Sequence, residues 1–378
     1  MKVHRLLLTA AFSLSILSGY AEGNTPQPTQ PTQPTVDMKG ISTKNFPIID
    51  GSDSTTPLRD ILMCKLLGFK YKWVRSFMVQ YGGPYDIEPQ YTCPQEEWRH
   101  LELDCLQKSN THGSFINLLD GKVEVIFTAR SMSRDEMVYA EEKGVELIEK
   151  PIAKDALAFL VNPANTVEDL STEQIQSIYT GEITNWSEVG GADVDITPYI
   201  RNRNSGSQEK FETMVMAGLT IKEFPEMQIG TGMMAPYYQL ERDKSGIAYS
   251  PFYYYSVMVA NGLTKAIGVD GIPMTKENVR NNTYPYVTDV YAAVRSDIDK
   301  SSMAYKLFEY ITTEAGQAIV AESGYVTLSE FANIEKVTQD NAPTPYYDLM
   351  GRPVTHPTRG IYIKDGRKVV IKYSLYKS

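Results

Sequence analysis

Segments of two different periods alternate along this chain, and that alternation limits the folds open to it more than any other feature. Val123 to Thr128 and Asp155 to Val161 are continuous apolar runs, suited to strands buried on both faces. Phe46 to Asp50, leading to Gly51, and Gly246 to Ser250 read as further short strands. Helix-type segments lie between them. Pro57 to Leu67 closes on Gly68, and Gln208 to Ala217 closes on Gly218. Ser171 to Tyr179 opens on a capping box, Ser171 with Gln174, and stops at Gly181. Ser302 to Ala321 reads as one long amphipathic helix. This order predicts an α/β fold on parallel sheets.

The length, 378 residues, is too great for one ordinary core and suits two lobes with appendages. Hydrophobic content of 42% against 22% charged residues predicts a packed globular protein. The net charge of −9 argues against nucleic acid as a partner, because no basic excess exists to displace counterions. An acidic chain can still hold an anion through a few local donors. Three cysteines do not make a disulfide framework. Cys93 and Cys105 can pair in an oxidising compartment, leaving Cys64 as a buried thiol.

Both ends differ in character from the middle. Lys2 and Arg5 precede the apolar run Leu6 to Leu17, and Gly19 and Ala21 occupy small-residue positions, so residues 1–21 are expected to be a signal peptide. Leu17-Ser18-Gly19 has the form of a bacterial lipoprotein signal, but Tyr20 stands where the lipidated cysteine belongs, so no lipid anchor is expected. Residues 22–40 repeat Pro, Thr and Gln, the composition of an extended tether. Residues 335–378 carry two β-rich runs around Gly360 and a strong hairpin turn at Asp365-Gly366, which predicts a small β appendage.

Three polar loops stand at strand-to-helix junctions, where open α/β sheets bind their ligands. The first runs from Gly51 to Pro57 and offers Ser54, Thr55 and Thr56, with Thr56 the expected N-cap before Pro57. The second is Thr111-His112-Gly113-Ser114. The third is Arg201 to Gln208, in which Arg201 lies four residues before Ser205-Gly206-Ser207. Free N–H groups at a helix start hold anions, and a guanidinium fork matches tetrahedral oxygens. Taken alone, the first loop reads sooner as an ordinary capped helix start, and a lone histidine such as His112 is more often structural. The third is the most specific, although Ser205 and Gln208 also have the spacing of a simple capping box. Arg130, two residues past a buried strand, is a fourth candidate, or else a solvated surface arginine. Catalytic and metal constellations are thin. The four histidines, His4, His100, His112 and His356, make no zinc spacing with the cysteines, and no nucleophile elbow or phosphate-loop lysine is present. No catalytic residue, cofactor or metal is therefore expected.

The stretches GSDSTTPL (51–58), VEVIFTARSMSRDE (123–136), KGVELIEKPIAKDALAFLVNPAN (143–165), LSTEQIQSIYTGEITNWSEVGG (170–191), RNRNSGSQEKFE (201–212) and SGIAYSPFYYY (245–255) occur in this order. So do TYPYVTDVYAAVR (283–295) and EAGQAIVAESGYV (314–326). Together they resemble the phosphate-binding proteins of bacterial ABC phosphate transporters, over about residues 41–334. The resemblance implies a two-lobed type II periplasmic-binding-protein fold, with one lobe from 41–157 and 246–334 and the other from 158–245. It implies capture of inorganic phosphate, or a similar tetrahedral oxyanion, for an ABC permease, without catalysis, in the periplasm or at the surface of a Gram-negative cell. By position, Ser54, Thr55, Thr56, Thr111 and His112 would face the anion from one lobe. Arg201, Ser205, Gly206 and Ser207 would clamp it from the other. One departure stands out. Members of this family place a carboxylate after the strand, whereas here Thr128-Ala129-Arg130 has none, and Arg130 is expected to contact the anion instead. Replacing an acceptor by a donor weakens discrimination against sulfate. The final segment, YDLMGRPV followed by TRGIYIKDGRKVVIK, is similar to the C-terminal β domains of exported Bacteroidetes proteins. Two alternatives stay open: a surface-displayed or sensory oxyanion-binding module without a permease, and a phosphate-transferring enzyme.

Overall fold

The computed structural model describes residues 37–75, 83–260 and 262–329, with strand residues 346–347, 353–354, 360–364 and 367–371. The expected signal peptide, the Tyr20 position and most of the Pro-Thr-Gln tether lie outside the described residues, as does the Asp365-Gly366 turn. The strands on either side of that turn, Gly360–Lys364 and Arg367–Ile371, pair antiparallel with Lys364 opposite Arg367.

One seven-stranded sheet organises the molecule. Its order is Ile49–Gly51, Val125–Thr128, Val287–Arg295, Leu147–Val161, Gly246–Pro251 and Thr197–Pro198, with Lys265–Ala266 also on Leu147–Val161. The expected parallel sheet is corrected here to a mixed one. Ile49–Gly51 is parallel to Val125–Thr128, but Val287–Arg295 and Leu147–Val161 run antiparallel to their neighbours. The 15-residue strand Leu147–Val161 explains the change. Its first part pairs with Val287–Arg295 and its last five residues with Gly246–Pro251, so one strand serves both lobes. Every residue from Ala156 to Val161 is buried, which matches an apolar run covered on both faces. The two-lobed α/β architecture is thus tied together through a crossing strand.

The helices follow their punctuation. Thr56–Leu67 ends where Gly68 adopts the left-handed conformation, and Thr172–Thr180 has both halves of the Ser171–Gln174 capping box and ends at Gly181. The single helix expected over 302–321 is two, Met303–Tyr310 and Glu314–Glu322. Thr313 makes the break: its hydroxyl donates to the Tyr310 carbonyl (2.7 Å) and accepts from Gly316 N–H (3.2 Å), a new N-cap inside an apolar pattern. The helix expected at Gln208–Ala217 starts earlier, at Gly206, and widens into a π-helical turn over Phe211–Val215. An antiparallel pair, Lys70–Arg75 with Tyr85–Gln90, was not expected from the sequence.

Aromatic packing fixes the third loop. Phe211 stacks on Tyr249 at 4.4 Å and meets Tyr179 edge-on at 4.5 Å, all three at 1% exposure or less. Each such pair adds about 0.5–1.5 kcal/mol beyond area burial. Cys93 and Cys105 are free thiols, so the proposed pairing does not form. Cys105 is buried with its Sγ on the Phe46 carbonyl, and burial pushes its thiol up to about 11.

Candidate functional site

The three polar loops converge on one cleft of about 380 Å³ between the lobes. Ser54, Thr111, His112, Arg201, Ser205, Gly206 and Ser207 line it; Thr55, Thr56 and Arg130 do not.

The first loop is set by contact between strands. A Cβ on Gly51 would lie 2.0 Å from the Phe127 carbonyl, so only glycine lets the chain pass there. Ser52 then ties the wall together. Its N–H donates to Phe127 O (3.0 Å), its Oγ accepts from Ala129 N–H (2.9 Å), and the same Oγ lies 2.7 Å from Thr111 Oγ1. Thr55, not Thr56, is the N-cap. Its hydroxyl turns inward to Ser52 O (2.8 Å) and Phe127 O (2.9 Å). Thr56 Oγ1 accepts from Arg59 (2.9 Å) and borders a neighbouring cavity instead.

Arg130 is committed elsewhere. It is 7% exposed and makes a two-pronged ion pair with Glu136, Nη1 to Oε2 at 2.7 Å and Nη2 to Oε1 at 2.8 Å. Glu136 is fully buried and also accepts from Ser133 N–H (2.8 Å) and lies 3.0 Å from His112 Nδ1. The expectation that Arg130 faces the anion is not met by this geometry, because a closer carboxylate three residues into the next helix takes both prongs. His112 borders the cleft but leans on the same carboxylate.

Arg201 behaves in the opposite way. It is 5% exposed, at the end of the short strand Ile200–Arg201. Its backbone N–H is fixed by Gln208 Oε1 (2.9 Å) and the Tyr249 hydroxyl (3.2 Å). Its side chain donates only to Gly230 O (3.2 Å) and the Met233 sulfur (3.6 Å), and among the described residues no carboxylate reaches ion-pair distance. Burial therefore lowers its affinity for the proton, though Tyr249 and Asp53 act against that. Next to it, the Ser207 hydroxyl is buried with no partner. The first-turn N–H groups after Ser205 point the same way as any helix start. A buried cation, an orphaned hydroxyl and free amides around one cleft form a site shaped for an anion.

Among the lining residues that escaped sequence reasoning, two matter for the charge of the site. Asp53 brings a carboxylate that the Thr128–Arg130 loop lacks; desolvation raises its pKa against Arg59, Arg201 and Lys108. Lys210 stands one helical turn beyond Ser207 and Gly206, and that i, i+3 and i, i+4 spacing was the available signal.

The lobes touch at Gly206. A Cβ there would lie 2.7 Å from Thr111 Oγ1, which Ser52 holds in place. Gly206→Ala is expected to wedge the cleft open and weaken anion binding about ten-fold, an order set by about 1–3 kcal/mol for overpacking. Titration calorimetry would read the loss, with thermal unfolding little changed.

A family model described as a PBP superfamily domain matches residues 76–315, more than half of the chain. Among curated relatives, the phosphate-binding protein PstS of Bacillus subtilis is 28% identical over 209 residues, 54% of this chain and 65% of its own length. PstS of Borreliella burgdorferi is 25% identical over 56% of this chain and 75% of its own. A phosphate ABC transporter substrate-binding protein from Clostridium perfringens, solved with bound phosphate, superposes with a TM-score of 0.54 at 24% identity. It covers 76% of this chain and 100% of that one. With the fold, the cleft and the family match in agreement, this chain belongs to the PBP superfamily.

Proposed function

We propose that this protein is an exported solute-binding protein that holds inorganic phosphate between its lobes and delivers it to an ABC permease. The observation that carries this reading is Arg201, a guanidinium buried at 5% exposure on the same cleft wall as the unpartnered Ser207 hydroxyl, with no carboxylate at ion-pair distance among the described residues. A lone buried charge is costly, so a protein that keeps one facing a cleft supplies it with a counter-ion from solution. Ser54, Thr111, Ser205, Gly206 and Ser207 provide hydroxyls and amides that replace the anion's water shell. Relatives named phosphate-binding protein, and the Clostridium structure with phosphate in place, support phosphate as the anion. The cleft is a capture device without turnover. Asp53 is the carboxylate on its wall, placed to accept a hydrogen bond from protonated phosphate and to repel sulfate, which carries no proton.

The test is calorimetric titration of the purified chain with phosphate, arsenate and sulfate. Phosphate and arsenate are expected to bind with sulfate weaker. No heat with any oxyanion overturns the reading. A second reading, display at the cell surface without a permease, draws on the Pro-Thr-Gln tether and the C-terminal strands. A phosphate-binding chain that fails to drive uptake in reconstituted permease vesicles would favour it.

A further inference from the structure

Lys210 has no role in the reading so far. It borders the oxyanion cleft and, on its other side, a cavity of about 300 Å³ bounded also by Arg130, Glu209 and Tyr291. It is 3% exposed, and its Nζ has no hydrogen-bond partner. Asp155, on the crossing strand, bears on it most strongly of the acidic groups, followed by Asp289 on the strand Val287–Arg295. Neither reaches ion-pair distance. Asp155 uses Oδ1 for the N–H groups of Ala156 (2.8 Å) and Tyr253 (2.9 Å), and its Oδ2 is also unpartnered. The fold therefore puts Lys210 on the cleft wall and leaves its buried ammonium unsatisfied, although a carboxylate is near. Buried groups of this kind are retained where a ligand completes them.

We infer that Lys210 is itself an oxyanion ligand, joining Arg201 so that two buried cations meet a doubly charged tetrahedral anion. This rests on the oxyanion reading above and adds to it a binding residue and a charge requirement. Burial lowers the Lys210 pKa to about 8, Arg130 adds to the fall, and Asp155 and Asp289 oppose it. On the cleft side the charged or titratable groups are Asp53, His112, Arg201 and Arg203. A bound dianion favours the ammonium, so the lysine's pKa is higher in the complex than in the free protein. The contribution to affinity is then fully present below about pH 8 and declines as pH rises above it.

The experiment is phosphate titration of the purified chain at pH 7, then at steps from 8 to 9.5, where phosphate remains a dianion. The parent affinity is expected to fall by up to about ten-fold per pH unit above 8. Lys210→Met is expected to bind at least about ten-fold more weakly at pH 7 and to lose the alkaline decline. Lys210→Arg keeps its charge, so it retains binding and gives a flat profile. An affinity flat from pH 8 to 9.5 in the parent overturns the inference even if the variants do not fold, and so does Lys210→Met binding like the parent. A parent that binds no phosphate at pH 7 instead overturns the oxyanion reading, before any variant is compared.

Discussion

Arg201→Met is expected to lose about 100-fold or more in phosphate affinity while melting no lower than the parent in the absence of ligand. The two effects have one cause. Arg201 is 5% exposed and has only Gly230 O and the Met233 sulfur as partners. Removing one member of a buried charge pair costs about 2–5 kcal/mol of binding, and about 100-fold corresponds to about 2.8 kcal/mol, in the lower half of that range. In the empty protein the same guanidinium is a buried charge with no ion-pair contact among the described residues, and an apolar side chain of similar length there is neutral or stabilising. The backbone bonds from Arg201 N–H to Gln208 and Tyr249 survive the change, so the loop keeps its place. Calorimetry for affinity and differential scanning for Tm check the pair. A lower Tm with binding intact would make Arg201 structural and remove the main support for the anion site.

Glu136→Gln is expected to have the largest effect on stability, about 3–5 kcal/mol, because it leaves Arg130 buried without its carboxylate. Glu136 is fully buried and receives both prongs of Arg130, the Ser133 N–H and a contact from His112. Arg130→Met combined with Glu136→Gln should recover much of the loss, since neither charge then remains. Urea unfolding of the parent, both single variants and the double variant measures the coupling. The Arg130→Met single variant also decides between the two placements of that arginine. Phosphate affinity within a few-fold of the parent agrees with the ion pair; loss on the scale of Arg201→Met would return Arg130 to the cleft.

The contrast between these two arginines shows what local sequence carries. Each follows a strand and precedes a helix, and each was expected to contact the anion, Arg201 as its clamp. For Arg130, the distinguishing residue is Glu136, whose Ser133 capping box was written in the sequence, but whose reach back to Arg130 was not. For Arg201, what matters is that among the described residues no carboxylate comes to ion-pair distance, and such a gap in space has no sequence signature. Thr55 and Thr56 make the same point. Both are small hydroxyl residues at the right helix start, yet Phe127 O and Arg59 claim their hydroxyls. Asp53, passed over between two serines, borders the cleft along with both of them.

The sequence by itself determined the α/β class, most helix stops and the three loops. These depend on short-range chemistry: apolar period, left-handed glycines at Gly68 and Gly181, and the Ser171–Gln174 box. It also carried the family, because the loop residues recur in a fixed order. Tertiary structure alone decided the rest. It made the sheet mixed, because Leu147–Val161 is long enough to pair with a different partner at each end. It split the helix at Thr313, where a hydroxyl outcompeted continued apolar periodicity. It also chose which polar groups stay unsatisfied, since hydrogen-bond partners 50 or more residues away are fixed only when the lobes pack. That packing left Ser207 Oγ and Lys210 Nζ without hydrogen-bond partners and Arg201 with only a carbonyl and a thioether, and for that reason they define the site.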